Sequence, residues 1–235
     1  VRTASFSPDS RQLVTAGDDG TLVLWRLADG VRQRTIQAHS EAVNSVAWYP
    51  DGTGFVSASR DRTLRRWNRD GTRQATFESG SGSTGSVNWV SVSPRGDLIA
   101  SASSDNRIRL WTFEGELLQV MQGHTGRVNW VSFSPEGMPL QLVSGSDDRT
   151  VRLWQLDGTN TEIFEGHGES VLSVGFHPQQ ELLASASKDG TVRLWLLPSW
   201  GNLQTLLSRG CAWVQEYLHS SEPSEAREGL SCQRR

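Results

Sequence analysis

The sequence predicts an all-β chain, a β-propeller of four-stranded antiparallel blades, on three observations. The stretch Ala184-Ser-Ala-Ser-Lys-Asp-Gly-Thr-Val-Arg-Leu-Trp195 has four earlier counterparts with the same punctuation. The copies keep register, with Asp19, Asp61, Asp105, Asp148 and Asp189 each followed six residues later by Trp25, Trp67, Trp111, Trp154 and Trp195, at spacings of 42, 44, 43 and 41. Each period also holds several short alternating strands set apart by Gly, Pro and Asp clusters. A period in the forties with one Trp per period marks propeller blades rather than helical repeats.

Taken in order, each period offers four strands, and five blades fall at about 1–39, 40–81, 82–123, 124–166 and 167–200. In the first blade the strands run about 1–7, 12–17, 20–27 and 32–37, with Ser-Pro-Asp, Asp-Asp-Gly and Ala-Asp-Gly as turns. Residue 1 sits where an innermost strand should begin, so the sequence reads as a piece of a longer protein with an upstream domain. In the second blade Val43, Val46 and Trp48 break strict alternation by a three-residue step, which predicts a β-bulge. After Trp195 the pattern changes. Leu203, Leu206, Leu207, Cys211, Val214 and Leu218 recur at three- and four-residue steps, predicting an amphipathic helix over 201–219. Residues 220–235 are polar and aperiodic and are expected to be disordered.

Composition narrows the function classes. The 36% apolar content is spread in short runs, and nothing approaches a membrane span, so a soluble cytoplasmic module is expected. A net charge of -3 gives no general attraction to nucleic acid or anionic lipid. Cys211 and Cys232 lie outside the repeats and read as free thiols. No His-x-x-x-His or Cys-x-x-Cys pair suggests a metal. Gly80-Ser-Gly-Ser-Thr-Gly85 lacks the Lys that a phosphate loop needs, so no cofactor is expected.

The repeated residues resemble the WD-repeat β-propeller family over roughly residues 1 to 197. The Trp carries the pattern, whereas the Asp that follows it in the family is replaced by Arg26, Asn68, Thr112, Gln155 and Leu196. The Ser-Arg-Gly-Cys-Ala-Trp-Val-Gln-Glu-Tyr-Leu run from 208 looks like the terminal helix of bacterial WD-repeat proteins. The resemblance implies a ring of seven blades, two of them outside this sequence. It also implies a hydrogen-bonded set in each blade, from the Trp indole to a Ser or Thr hydroxyl, to a His of the entering loop, to the turn Asp. Carried over, the hydroxyls are Thr15, Ser57, Ser101, Ser144 and Ser185, and the imidazoles are His39, His124 and His167. A Ser, a His and an Asp together could also be read as a nucleophilic triad. Recurrence in several blades, with a Trp on the hydroxyl, favours a structural role.

Two departures stand out. The third blade has Ser83 where the His should be, in an entering loop over Ser79–Ser86 that is longer than its counterparts and rich in Gly and Ser. Asp105 is therefore expected to matter less than Asp148. The second blade has Arg66 where the others have Leu24, Leu110, Leu153 and Leu194. A buried unpaired guanidinium is costly, so Arg66 is expected to reach solvent, Asp70 or Glu78.

By the same resemblance, the partner surface is the face of entering loops and Asp turns. Its expected residues are Arg60, Ser83, Asn88, Trp89, Ser104, Arg127, Asn129, Trp130, Asp147 and Lys188, centred between the second and third blades, with Arg2, Asp18, Ala42, Asn44, Ser86, Ser170 and Leu172 exposed beside them. Trp89 and Trp130 read either as packing between blades or as exposed anchors, since Trp dominates interface hot spots. The expected function is a non-catalytic interaction scaffold or sensor of a larger bacterial signalling protein, binding a protein or peptide. Two alternatives stay open. A small ligand could occupy the central channel. Nucleic acid is disfavoured, its only hint being the cluster Arg60, Arg62, Arg65, Arg66 and Arg69.

Overall fold

The computed structural model describes residues 1–78 and 85–197. Ser83, the cysteines, the expected helix over 201–219 and the expected tail lie outside them. Among the described residues the fold is all-β.

The first sheet contains β1 (Thr3–Phe6), β2 (Gln12–Ala16), β3 (Thr21–Arg26) and β4 (Val31–Gln37), paired antiparallel in that order. The second holds β5 (Val43–Trp48), β6 (Gly54–Ser59), β7 (Thr63–Asn68) and β8 (Arg73–Glu78). In the third are β9 (Val87–Val92), β10 (Leu98–Ser103), β11 (Ile108–Thr112) and β12 (Leu117–Met121). The fourth has β13 (Val128–Phe133), β14 (Leu142–Ser146), β15 (Val151–Trp154) and β16 (Asn160–Phe164). The fifth has three strands among the described residues, β17 (Val171–Phe176), β18 (Leu182–Ser187) and β19 (Val192–Leu196). The innermost strands β1, β5, β9, β13 and β17 neighbour one another in chain order, as successive blades do.

Local chemistry explains the turns. Each turn Asp accepts the amide two residues on, at 3.0 Å for Asp19 to Thr21, 3.1 Å for Asp61 to Thr63, 3.2 Å for Asp105 to Arg107, 3.0 Å for Asp148 to Thr150 and 2.9 Å for Asp189 to Thr191. The residue between them must take a left-handed backbone. Gly20 and Gly190 do so freely at φ of 78° and 79°, whereas Arg62, Asn106 and Arg149 do so at 68°, 67° and 71°. For side chains with a Cβ this costs on the order of 1 kcal/mol, which the carboxylate bonds offset.

The predicted bulge is present, and it recurs. Pairing shifts by one residue between Val43 and Ser45, Val128 and Trp130, and Val171 and Ser173, and β9 shifts equivalently against β10. The extra residue is Asn44, Asn88, Asn129 or Leu172, and the bulge turns it out of the ladder. The three Asn side chains use that freedom on the next blade. Asn44 donates to the Val87 carbonyl at 2.8 Å, Asn88 to the Val128 carbonyl at 2.8 Å, and Asn129 to the Val171 carbonyl at 2.9 Å. Leu172 breaks the series and is exposed.

Between blades the core is apolar. Leu22 and Leu24 of β3 are buried in one cluster with Val43, Val46, Phe55 and Trp67 of the second blade. Val192 and Leu194 hold the same positions in β19, yet they are 70% and 66% exposed. One side of the fifth sheet therefore presents the apolar pattern that neighbours cover elsewhere. Arg66 takes a route that the sequence reading missed. Its guanidinium donates to the Phe113 carbonyl at 2.9 Å and lies 4.2 Å from the centre of the Phe113 ring. The third blade thus solvates the charge, in place of Asp70 or Glu78.

Candidate functional site

Three blades assemble the full hydrogen-bonded set. In the fourth, Trp154 Nε1 donates to Ser144 Oγ at 2.8 Å, Ser144 Oγ is 2.7 Å from His124 Nε2, and His124 Nδ1 is 2.7 Å from Asp148 Oδ2. The second links Trp67, Ser57, His39 and Asp61 at 2.9, 2.7 and 2.9 Å. The fifth links Trp195, Ser185, His167 and Asp189 at 2.8, 2.8 and 3.0 Å. A neutral imidazole satisfies each chain, because Nδ1-H donates to the carboxylate while Nε2 accepts from the hydroxyl. The Ser oxygens are buried under their indoles, so no substrate carbonyl can approach them. This geometry supports the structural reading over a nucleophilic triad.

The first and third blades differ. Trp25 Nε1 donates to Thr15 Oγ1 at 2.9 Å, and Thr15, Asp19 and Trp25 line an open cavity of about 340 Å³. In the third blade Trp111 Nε1 donates to Ser101 Oγ at 3.0 Å, while Arg109 grips both oxygens of Asp105 at 3.2 and 2.6 Å. Arg109 is 3% exposed, so the pair is buried. The available signal was an Arg two residues before the Trp in four blades, Arg65, Arg109, Arg152 and Arg193. Where the His is present, the Arg stays farther from the turn carboxylate, with Arg65 3.5 Å from Asp61 and Arg152 4.0 Å from Asp148.

Burial holds His39 and His124 below the ordinary imidazole pKa, outweighing their Asp partners. Burial alone would raise the pKa of Asp61 and Asp148, but bonds from the imidazoles and from Thr63 and Thr150 lower it well below the usual carboxylate range. Both shifts have the same sign for stability. The unfolded chain binds these protons more readily than the folded chain, so stability is full above about pH 6.5 and falls as pH drops through the imidazole and then the carboxylate range. Melts at pH 7.5 and 5.5 should therefore show a lower transition in acid. A transition that does not move would refute neutral, buried imidazoles.

Four of the ten residues expected on the partner face, Arg60, Asn88, Arg127 and Asn129, meet at one cavity. Arg2, Asn44, Arg60, Ser86, Asn88, Arg127 and Asn129, from four successive blades, line a cavity of about 270 Å³. Arg2 pairs with Asp18, and Arg127 Nε lies 3.6 Å from Asp147, whose other oxygen accepts from Asn129 at 2.8 Å. Ser104 Oγ donates to Asn88 Oδ1 at 3.0 Å, and Lys188 is exposed. Asn88 and Asn129 are half-buried clasps rather than free surface amides. Trp89 and Trp130 stack on each other with ring centres 3.5 Å apart, tilted by 20°. Each ring is half-buried, and Trp89 packs against the apolar cluster of the third and fourth blades. That is the packing alternative, and it leaves no fully exposed anchor. The arginines of the second blade do not form a stripe. Arg65 bonds the Ala38 carbonyl, Arg66 takes Phe113, and Arg69 reaches Asp9 and Gln12. Among the described residues no helix is long and apolar enough to cross a membrane.

Comparison with known proteins gives the same repeat. The family model described as "WD domain, G-beta repeat" matches residues 1–26, 30–68, 71–112, 115–155 and 158–195. The chain is similar to the protein transport protein sec13 of Aspergillus oryzae, 33% identical over 109 residues, which are 43% of this chain and 37% of that protein. It is also similar to the WD repeat-containing protein WDS homolog of Arabidopsis thaliana, 30% identical over 125 residues, covering 52% of this chain and 24% of that one. The THO complex subunit 3 of Arabidopsis thaliana is 39% identical over 84 residues, or 34% of this chain and 27% of the relative. These relatives are eukaryotic, none of the three names an enzymatic activity, and the chain spans well under half of each.

Proposed function

This chain belongs to the WD-repeat family, and from that premise we propose that it is a non-catalytic interaction module holding a protein or peptide on the face around Arg60. One observation carries the reading. Four blades contribute seven side chains to a single polar cavity whose walls are clasped together by Asn44, Asn88 and Asn129. A surface held by bonds between blades is rigid before a partner arrives, so little ordering entropy opposes binding. Membership of a transport protein and a complex subunit among the relatives agrees with a scaffold role. The resemblance of the 208–218 run to bacterial repeat proteins supports a place in a larger bacterial signalling protein, cytoplasmic and with an upstream domain. The relatives themselves give no support for that origin.

The test is a pull-down by the full chain with Arg60→Glu and Arg127→Glu together, against Arg34→Glu on the outer strand β4. The face variant should lose its partners while melting as the parent does. Undiminished recovery would move the site off this face. A second reading, a small ligand in the channel, is favoured by a cavity of about 390 Å³ lined by β1, β5 and β9, with Trp48 and Trp89 in its wall. That volume is in the range of small-molecule sites.

A further inference from the structure

Resting on that interaction-face reading, we propose that the cavity takes an acidic side chain of the partner, its carboxylate or phosphoryl oxygens seated among Arg2, Arg60 and Arg127. The charge balance points this way. Three guanidinium groups border the cavity, and Asp18 and Asp147 are already paired with Arg2 and Arg127. Arg60 is exposed and has no acidic partner among the described residues. One positive charge is left over at the mouth, in a chain whose net charge is -3.

The hydrogen-bonding inventory points the same way. Asn44, Asn88 and Asn129 each spend an amide N-H on the neighbouring blade's carbonyl. Asn44 Oδ1 and Asn88 Oδ1 accept from Arg2 and Ser104. Most of the donor capacity left over lies on the guanidinium groups, beside one amide N-H each on Asn44 and Asn88, and guanidinium groups match the paired oxygens of a carboxylate or phosphate and form charge-assisted bonds. Asp18 and Asp147 are 67% and 35% exposed, so their pairs with Arg2 and Arg127 are solvated and open readily to an incoming anion. A cavity of about 270 Å³ admits one such group and not a nucleic-acid strand, which needs a continuous basic track. The separate engagement of Arg65, Arg66 and Arg69 leaves no such track beside it.

The probes are labelled octaglutamate and a Gly-Ser octapeptide bearing one phosphoserine, with the unmodified Gly-Ser peptide and octalysine as controls. Binding to the full chain is read by fluorescence anisotropy. At least one anionic peptide should bind and weaken several-fold as salt rises from about 0.05 to about 0.5 M, whereas the controls should not bind. Which of the two binds more tightly tells carboxylate from phosphoryl recognition. Arg60→Glu should weaken binding about tenfold or more, Arg60→Lys should retain part of it, and Arg95→Glu, the same charge change elsewhere, should leave it unchanged. Failure of both anionic peptides to bind, or equal losses in Arg60→Glu and Arg95→Glu, would overturn the proposal. A protein partner that the face variant loses but that neither peptide displaces would overturn the acidic occupant and leave the interaction face standing.

Discussion

Asp105→Ala is expected to destabilise the chain by about 3–5 kcal/mol, more than the about 1–3 kcal/mol of Asp148→Ala. This order is the reverse of the one read from the sequence, where Asp105 lacks a His and should matter less. The reason is what each substitution strands. Losing Asp148 leaves a neutral imidazole N-H and turn amides without an acceptor. Losing Asp105 leaves the guanidinium of Arg109, 3% exposed, with no counter-charge, and its Nε has no partner even now. Urea unfolding of the two variants checks the order, and a smaller loss for Asp105→Ala would show that Arg109 reaches water when released. The double change Asp105→Ala with Arg109→Leu should recover most of the loss, because an apolar replacement of a buried pair removes both desolvation costs.

Trp154→Ala should cost about 3–5 kcal/mol from the deleted indole volume alone. Trp154 is 1% exposed and sits in the cluster with Val131, Phe133 and Leu142. Trp25→Ala should cost clearly less, although the repeat treats the two as equivalent. Trp25 is only half-buried, borders an open cavity and bonds Thr15 without a His behind it. Trp154→Phe separates the contributions, since it keeps most of the volume but removes the N-H that Ser144 accepts, for about 1 kcal/mol. Equal losses for Trp25→Ala and Trp154→Ala in thermal or urea melts would mean that the repeat motif, and not its surroundings, sets the energetics.

By itself the sequence determined the repeat, its strands and its turns, whereas the members of the hydrogen-bonded sets came from the resemblance to the WD-repeat family. The first three depend on short-range facts, the Asp turn, the six-residue step to Trp and the alternation of each strand. It also located the bulge, since the step from Val43 to Val46 is visible in one strand. What it could not determine is how one blade answers another. Arg66 meets a ring and a carbonyl 47 residues away at Phe113, and Trp89 meets Trp130 across a blade boundary. Asn44, Asn88 and Asn129 read as exposed face residues until the neighbouring carbonyls are placed beside them. The exchange of His for Arg109 at Asp105 belongs to both levels. That the third blade has Ser83 in place of the His, and that Arg109 is present, are both plain in the sequence, but that Arg109 reaches the buried carboxylate is decided by volume and desolvation, which only the packed structure sets.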